Sequence, residues 1–244
     1  ASAWLSHPDR RRPRGLSRRH PHRREGLNPM DADAMRKEAE APVQATLVDL
    51  DEVISTLADA FVVDPHFGWF MRDDSRRDAA RHGFFRMLIR QEGFPKGRID
   101  RPEGGGAAAV WMPFEQLAPM PLRSELAALP ALLRATGLAR IGRLAAIRAD
   151  MDKHHPMDRP HAYLWFLGVS PAAQGRGVGS ALLRAAAGRL DAQGMPAYLE
   201  TGATRNVALY ERHGFAVISE HRARADAPVM WSMWREPVAA DGDA

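Results

Sequence analysis

The chain has 244 residues, enough for one large domain or two small ones, and 45% of them are hydrophobic, an ordinary share for a chain that buries a core. With no cysteine it has no disulfide, no thiolate metal or iron–sulfur site and no thiol nucleophile. The net charge of +4 is unevenly placed: residues 1–29 hold eight arginines against Asp9 and Glu25, a share of +6, so the rest sums to −2 and the body of the chain gives no ground for expecting a nucleic-acid partner.

Residues 1–29 mix those arginines with Pro8, Pro13, Pro21 and Pro29. That composition cannot offset the entropy of ordering, so a disordered basic extension is expected, with the native start at Met30. An RNA-binding arm is the sharper alternative, but its one stacking platform is Trp4. No apolar run reaches the roughly 18 residues of a membrane span, and the arginine-rich start lacks the apolar stretch of a secretory signal. A cytoplasmic protein with no membrane partner is expected.

Residues 43–48 read as a short β-type run, and Asp49 with Glu52 three residues on as a capping box. Val53, Ile54, Leu57, Ala58, Phe61 and Val62 then recur at helical spacing until Asp64-Pro65 stops the helix. A second helix is predicted over 75–91, burying Ala80, Phe84, Met87 and Leu88. Strands at 98–101 and 107–112, separated by Gly104-Gly105-Gly106, predict a hairpin. Residues 122–150 read as two or three short helices, interrupted at Pro130 and Gly137, whose arginines solvate an exposed face.

The strongest strand spans 161–170, where Tyr163, Leu164, Trp165, Phe166, Leu167 and Val169 form the near-continuous apolar run of a strand covered on both faces. A glycine-rich turn follows, then a helix with Val178, Ala181, Leu182, Ala185, Ala186 and Leu190 on one face, ending at Gly194. After it come a strand at 197–201, a helix at 204–213 and strands at 215–220 and 229–234. This order predicts one α/β (α+β) domain over 30–237, a mixed central sheet of about six to seven strands flanked by helices, with a flexible tail over 238–244.

The chemistry concentrates in Gln174-Gly175-Arg176-Gly177-Val178-Gly179, between the central strand and its helix. Glycines let the backbone approach a ligand, and the free N–H groups at the positive end of a helix suit a pyrophosphate. No lysine precedes Ser180, against a P-loop, and the dinucleotide spacing Gly-x-Gly-x-x-Gly is absent. What remains, Gln-x-x-Gly-x-Gly after Gly168-Val169-Ser170-Pro171, resembles motif A of the GNAT N-acetyltransferase superfamily. Asn206 and Tyr210-Glu211-Arg212-His213-Gly214-Phe215 resemble its motif B. Within the superfamily the chain is most similar to puromycin N-acetyltransferase and its relatives, through Ala109-Val110-Trp111, Leu164 to Pro171, Gln174 to Ala181, Gly194 to Thr201, Arg205-Asn206 and Tyr210 to Phe215.

That resemblance implies the GNAT fold, acetyl-CoA as co-substrate, and acetyl transfer by direct attack to the primary amine of a small molecule. Puromycin or a similar aminoacyl-nucleoside antibiotic is the implied acceptor and antibiotic resistance the implied role, in a monomer or homodimer. Leu167, Gly168 and Val169 are then expected to bond the pantetheine arm like another strand, the Val169 N–H polarising the thioester. Gln174, Gly175, Arg176, Gly177, Val178, Gly179 and Ser180 hold the pyrophosphate, Asn206 the CoA arm, and Tyr210 is the general acid. A protein N-terminal or lysine acceptor, or a non-catalytic acyl-CoA- or RNA-binding module, is the alternative.

For the base the residues themselves favour Glu200. On a strand Tyr198 and Glu200 share one face, and a carboxylate on a central strand must line a cavity or be paired. It acts directly, through water, or by attracting the ammonium; His161 and Glu211 are weaker rivals. Phe67, Trp69, Trp111 and Trp165 are candidates to wall an acceptor pocket, with core packing as their default. No metal is expected, since the histidines lack ligand spacing and His154-His155 before Pro156 reads as a loop.

Overall fold

The strands are β1 (Val43–Gln44), β2 (Arg98–Arg101), β3 (Ala107–Pro113), β4 (Ala162–Val169), β5 (Ala197–Thr201), β6 (Ala216–His221) and β7 (Met230–Arg235). In a computed structural model, which describes residues 29–117 and 122–239, they form one sheet in the order β1-β2-β3-β4-β5-β7-β6. All neighbours are antiparallel except β4 and β5, which run parallel. The expected mixed sheet is therefore present, with seven strands and β4 at its centre.

Period-two alternation sends side chains of the central strands into two cores. On one face Tyr163 and Tyr198 pack beneath Ile54 and Leu57 of α2 (Leu50–Ala60), Phe67 and Phe70 of α3 (Pro65–Phe70) and Phe84 and Phe85 of α4 (Arg77–Leu88). A π-helical turn, Ile89–Gly93, and α5 (Phe94–Lys96) lead on to β2; α6 (Leu122–Thr136) and α7 (Ile141–His154) complete this layer. On the other face Trp111, Leu164 and Leu199 pack against α8 (Val178–Ala192), with α1 (Pro29–Glu40) laid along it and α9 (Thr204–Glu211) beside it.

The β-type reading of 43–48 is corrected: pairing ends at Gln44, and Leu47–Asp49 form a single 3-10 turn. The Asp49 carboxylate accepts the Thr46 N–H at 2.8 Å and its hydroxyl at 2.9 Å, so the capping box is Thr46 with Asp49, one turn earlier than expected. That local closure outweighs the β-propensity of Leu47 and Val48, which are left exposed. Glu52 instead accepts the Gly106 N–H and the Thr56 hydroxyl, both at 2.8 Å, tying α2 to the hairpin loop. Helix α1 was not foreseen; its Ala32 and Ala39 are buried.

Of the expected disordered extension over 1–29, with its RNA-binding alternative, residues 1–28 lie outside the described residues and Pro29 is the first residue of α1; 240–244 of the expected tail also lie outside. Val238, at the start of that tail, donates its N–H to Asp191 at 2.8 Å. Among the described residues no helix is long and apolar enough to cross a membrane.

Candidate active site

The site begins where β4 and β5 part. They pair through only three rungs, Ala162 with Ala197, Tyr163 with Tyr198 and Leu164 with Leu199. At that level the β3–β4 register skips one residue, so Trp165 is a bulge between Leu164, opposite Trp111, and Phe166, opposite Val110. A bulge bends its strand, which turns the rest of β4 away from β5.

The edge thus freed is polar. Ser170 donates its N–H to the Gly106 carbonyl at 2.8 Å, so by antiparallel alternation the backbone groups of Gly168 also face β3 while those of Leu167 and Val169 face the gap. Gln174 anchors the end of this edge, its side-chain amide donating to the Val169 carbonyl at 3.0 Å. Gly168 meets a different demand: a Cβ there would lie 2.8 Å from Leu57 Cδ2 and 3.1 Å from Ala60 Cβ, so it lets α2 rest directly on β4.

The edge leads into the glycine turn. Gly175 and Gly177 adopt φ of 76° and 81°, the left-handed region that side chains resist. The Ala181 N–H is the first to bond back into the helix, to Gly177 at 2.9 Å, which leaves the N–H groups of Val178, Gly179 and Ser180 without helical partners. The Ser180 hydroxyl is held by His213 Nε2 at 2.6 Å. Arg176 is exposed, and Arg36 of α1 lies against the turn, its Cδ 3.2 Å from where a Gly177 side chain would start. Burial lowers the His213 pKa, and the nearby Arg184, Arg212 and Arg235 lower it further. This end of the gap is cationic.

Across the gap the electrostatics invert. Glu200 accepts the Tyr163 hydroxyl at 2.7 Å and the Tyr198 hydroxyl at 2.9 Å. Burial pushes its pKa up to about 7; the two tyrosine hydrogen bonds oppose the shift, and Asp152 and Asp150 of α7 reinforce it. Burial raises both tyrosines as well, keeping them neutral donors. The predicted shared face of Tyr198 and Glu200 is present.

The chain of bonds continues. Tyr198 lies 3.0 Å from the hydroxyl of fully buried Ser232, which faces Glu200 across β5–β7. Ser232 lies 2.9 Å from His221 Nε2, and His221 Nδ1 lies 2.6 Å from Asp150. His154 stacks on His221 at 3.9 Å. His154 therefore ends α7 one turn after Asp150, rather than lying in the expected loop. One ligand atom each from Asp150, His154 and His221 lies within 4.8 Å of the others. However, rings stacked at 16° direct their lone pairs side by side instead of onto one ion, and both His221 nitrogens are already engaged. The trio is a hydrogen-bonded network rather than a ligand set.

Tyr210 approaches from the α8 side, its ring packed edge-on to Phe215 at 5.9 Å. Burial raises its pKa, and so does Asp64, the N-cap of α3 on the opposite layer, which places the phenol end near the gap. Its hydroxyl has no hydrogen-bond partner among the described residues, and neither has the side chain of Asn206 one turn earlier. His161 is enclosed by Phe114, Tyr198 and Trp234 with Nδ1 2.7 Å from the Arg159 carbonyl, and Glu211 is exposed on α9. Trp111 packs in the core on the α8 face, its default reading, and not on the side of Glu200: the bulge reverses its side of the sheet relative to Trp165. Phe67 sits in the phenylalanine core, stacked on Phe85 at 5.2 Å, and Trp69 donates to Asp226 at 3.1 Å.

The sequence reading missed Tyr163, Ser232, His221, Asp150, Asp152 and Arg36. Tyr163 and Ser232 were reachable from strand alternation once Glu200 was chosen, but nothing local signals that α7 brings its carboxylates to that face.

The seven-stranded mixed sheet flanked by helices, with a parting pair of parallel strands that leads into a glycine turn, is an acetyltransferase-type fold. The Acetyltransferase (GNAT) family model matches residues 132–215. It is similar to the structure of histone acetyltransferase HPA2 and related acetyltransferase from Corynebacterium glutamicum, at 26% identity and TM-score 0.61, over 82% of this chain and 98% of the other. The fold is shared with arylalkylamine N-acetyltransferase 2 from Aedes aegypti, at 11% identity and TM-score 0.53, covering 81% and 98%. A mycothiol acetyltransferase from Jonesia denitrificans is 46% identical over 61 residues, 24% of this chain; the match spans about a fifth (19%) of that relative's length.

Proposed function

We propose that the protein is an acetyl-CoA-dependent N-acetyltransferase acting on the primary amine of a small molecule. One observation supports this above the others: the gap between β4 and β5 is cationic and rich in free backbone N–H groups at its turn, and holds a half-buried carboxylate with raised pKa on its other side. An anionic cofactor and a cationic amine suit those two ends.

In this reading the backbone of Leu167 and Val169 bonds the pantetheine arm, and the Val169 N–H polarises the thioester carbonyl. The N–H groups from Gly175 to Ser180, with Arg176 and Arg36, hold the pyrophosphate, and Asn206 the arm beside it. Glu200 takes the proton from the incoming ammonium, the amine attacks the acyl carbon, Tyr210 gives its proton to the thiolate as the carbon–sulfur bond breaks, and the second proton lost by the nitrogen as the amide forms restores the Tyr210 phenol. Trp165, at the bulge, borders the acceptor side. The sequence resemblance makes puromycin or a related aminoacyl-nucleoside the first acceptor to try, with a cytoplasmic resistance role.

The test is release of CoA thiol from acetyl-CoA, read with a thiol-reactive dye, against puromycin and a panel of small amines. The chain adds no background because it has no cysteine. Puromycin-dependent release supports the full reading; release with other amines alone keeps the chemistry and removes the antibiotic; no release with any amine, despite acetyl-CoA binding, overturns it.

A further inference from the structure

Glu200 must lose each proton it gains before the next turnover, and its half-buried carboxylate is already engaged by the hydroxyls of Tyr163 and Tyr198. We infer that Ser232 and His221 form a proton relay that resets Glu200, running from Glu200 through Tyr198 and Ser232 to His221, which Asp150 holds. The inference rests on the acetyl-transfer reading given above and adds to it the path by which the proton leaves.

The spacings along the path are 2.9 Å from Glu200 to Tyr198, 3.0 Å to Ser232, 2.9 Å to His221 Nε2 and 2.6 Å from His221 Nδ1 to Asp150, each a hydrogen bond. Every member can both donate and accept, except the terminal carboxylates. The proton balance closes. The substrate ammonium gives a proton to the Glu200 carboxylate; Glu200 passes one to the Tyr198 oxygen, Tyr198 passes its own to Ser232, and Ser232 passes its own to His221 Nε2. Glu200 is a carboxylate again, and His221 is an imidazolium paired with the Asp150 carboxylate. From there the proton leaves by the α7 edge, where His154 is the more exposed ring: the side chains of His221 and His154 are 5% and 22% exposed.

The charged and titratable surroundings favour this direction. Asp150, Asp152 and His154 from α7, His66 from α3, and Tyr163 and Tyr198 from β4 and β5 face the two ends. The two aspartates make a proton costly to remove from Glu200, yet Asp150 touches His221 directly and stabilises the charge once it arrives there. Ser232 fills no other role visible at its position, being fully buried between these two partners.

The test compares wild type, Ser232→Ala, Ser232→Thr and His221→Gln. Ser232→Ala removes the central hydroxyl with little change in volume, and Ser232→Thr restores it. Expected for Ser232→Ala and His221→Gln is a kcat about tenfold lower at neutral pH, an unchanged KM for acetyl-CoA, and an altered solvent isotope effect; Ser232→Thr regains most of the rate. Nitrogen NMR of the His221 ring adds a readout without turnover: Glu200→Gln changes the His221 ring-nitrogen chemical shifts in the wild-type background and much less in Ser232→Ala. A wild-type rate, pH profile and isotope effect in Ser232→Ala, or an undiminished Glu200–His221 coupling in it, overturns the relay. A wild type that acetylates no amine overturns the acetyl-transfer reading instead, and the NMR comparison then decides the connection on its own.

Discussion

Leu164 is the last residue of β4 with a partner in β5: past its rung with Leu199 the strand bulges at Trp165 and the two strands separate. One inserted residue thus opens the gap on which the whole site depends. The same bend carries Gly168 under α2, with no room for a side chain against Leu57 and Ala60.

Gly168→Ala is accordingly expected to destabilise the fold by about 1–3 kcal/mol, the usual cost of overpacking a filled core. Leu57 Cδ2 can rotate aside, but Ala60 Cβ, 3.1 Å away, yields only by moving with α2, so the Leu167 and Val169 edge moves too. Urea unfolding should show the loss, and calorimetry a weaker grip on acetyl-CoA; a variant as stable as wild type refutes the tight α2–β4 contact.

Tyr210→Phe separates packing from chemistry. The ring packs against Phe215 while the hydroxyl bonds nothing among the described residues, so stability should change by no more than about 0.5 kcal/mol. If the phenol protonates the leaving thiolate, kcat falls about 100-fold with the KM for acetyl-CoA unchanged. Full activity in this variant removes Tyr210 from the mechanism.

The legible parts of this protein were those written locally. The apolar run of β4, the glycine turn and the alternation placing Tyr198 beside Glu200 each need a handful of neighbouring residues, and the structure has all three. The Trp165 bulge was not legible, because a near-continuous apolar strand looks the same with one residue more or less. The polar network was harder still: Asp150, His221 and Ser232 come from α7, β6 and β7, and only tertiary packing brings them within 3 Å. Leu47 and Val48 show the opposite failure, apolar side chains that signal a strand but stand in solvent because Thr46 and Asp49 close a turn around them.

Gly175→Ala isolates backbone strain, because a Cβ there meets no atom within 4 Å while φ stays at 76°. A left-handed alanine costs about 1–2 kcal/mol, and the turn is expected to relax, misaligning the N–H groups and weakening acetyl-CoA binding about tenfold. Gly175→Asn should recover much of that affinity, since asparagine tolerates this region. Equal affinities for the alanine variant and wild type, measured by calorimetry, dissociate the turn from the cofactor.

Stability and activity should run in opposite directions with pH, and Glu200 is the reason. Its pKa in the folded chain, about 7, lies above its ordinary 4.5, so the fold holds the protonated form. That contribution is complete below about pH 4.5 and is lost as pH rises through 7, up to about 3 kcal/mol at 1.36 kcal/mol per unit. Catalysis needs the carboxylate, so kcat/KM should climb across the same interval to a plateau above about 7. His66 and His155 act with the other sign: burial lowers both to about 4, so what they contribute is present above 6.5 and lost as pH falls through 4. A direct wild-type profile mixes the two trends, but Glu200→Gln removes only the first. That variant should be more stable than wild type near pH 8, little different near pH 4.5, and without the acid limb in its residual activity. Urea midpoints of both proteins at the two pH values decide the matter: a stability difference that does not change with pH means Glu200 titrates at an ordinary value and is not held neutral by its burial.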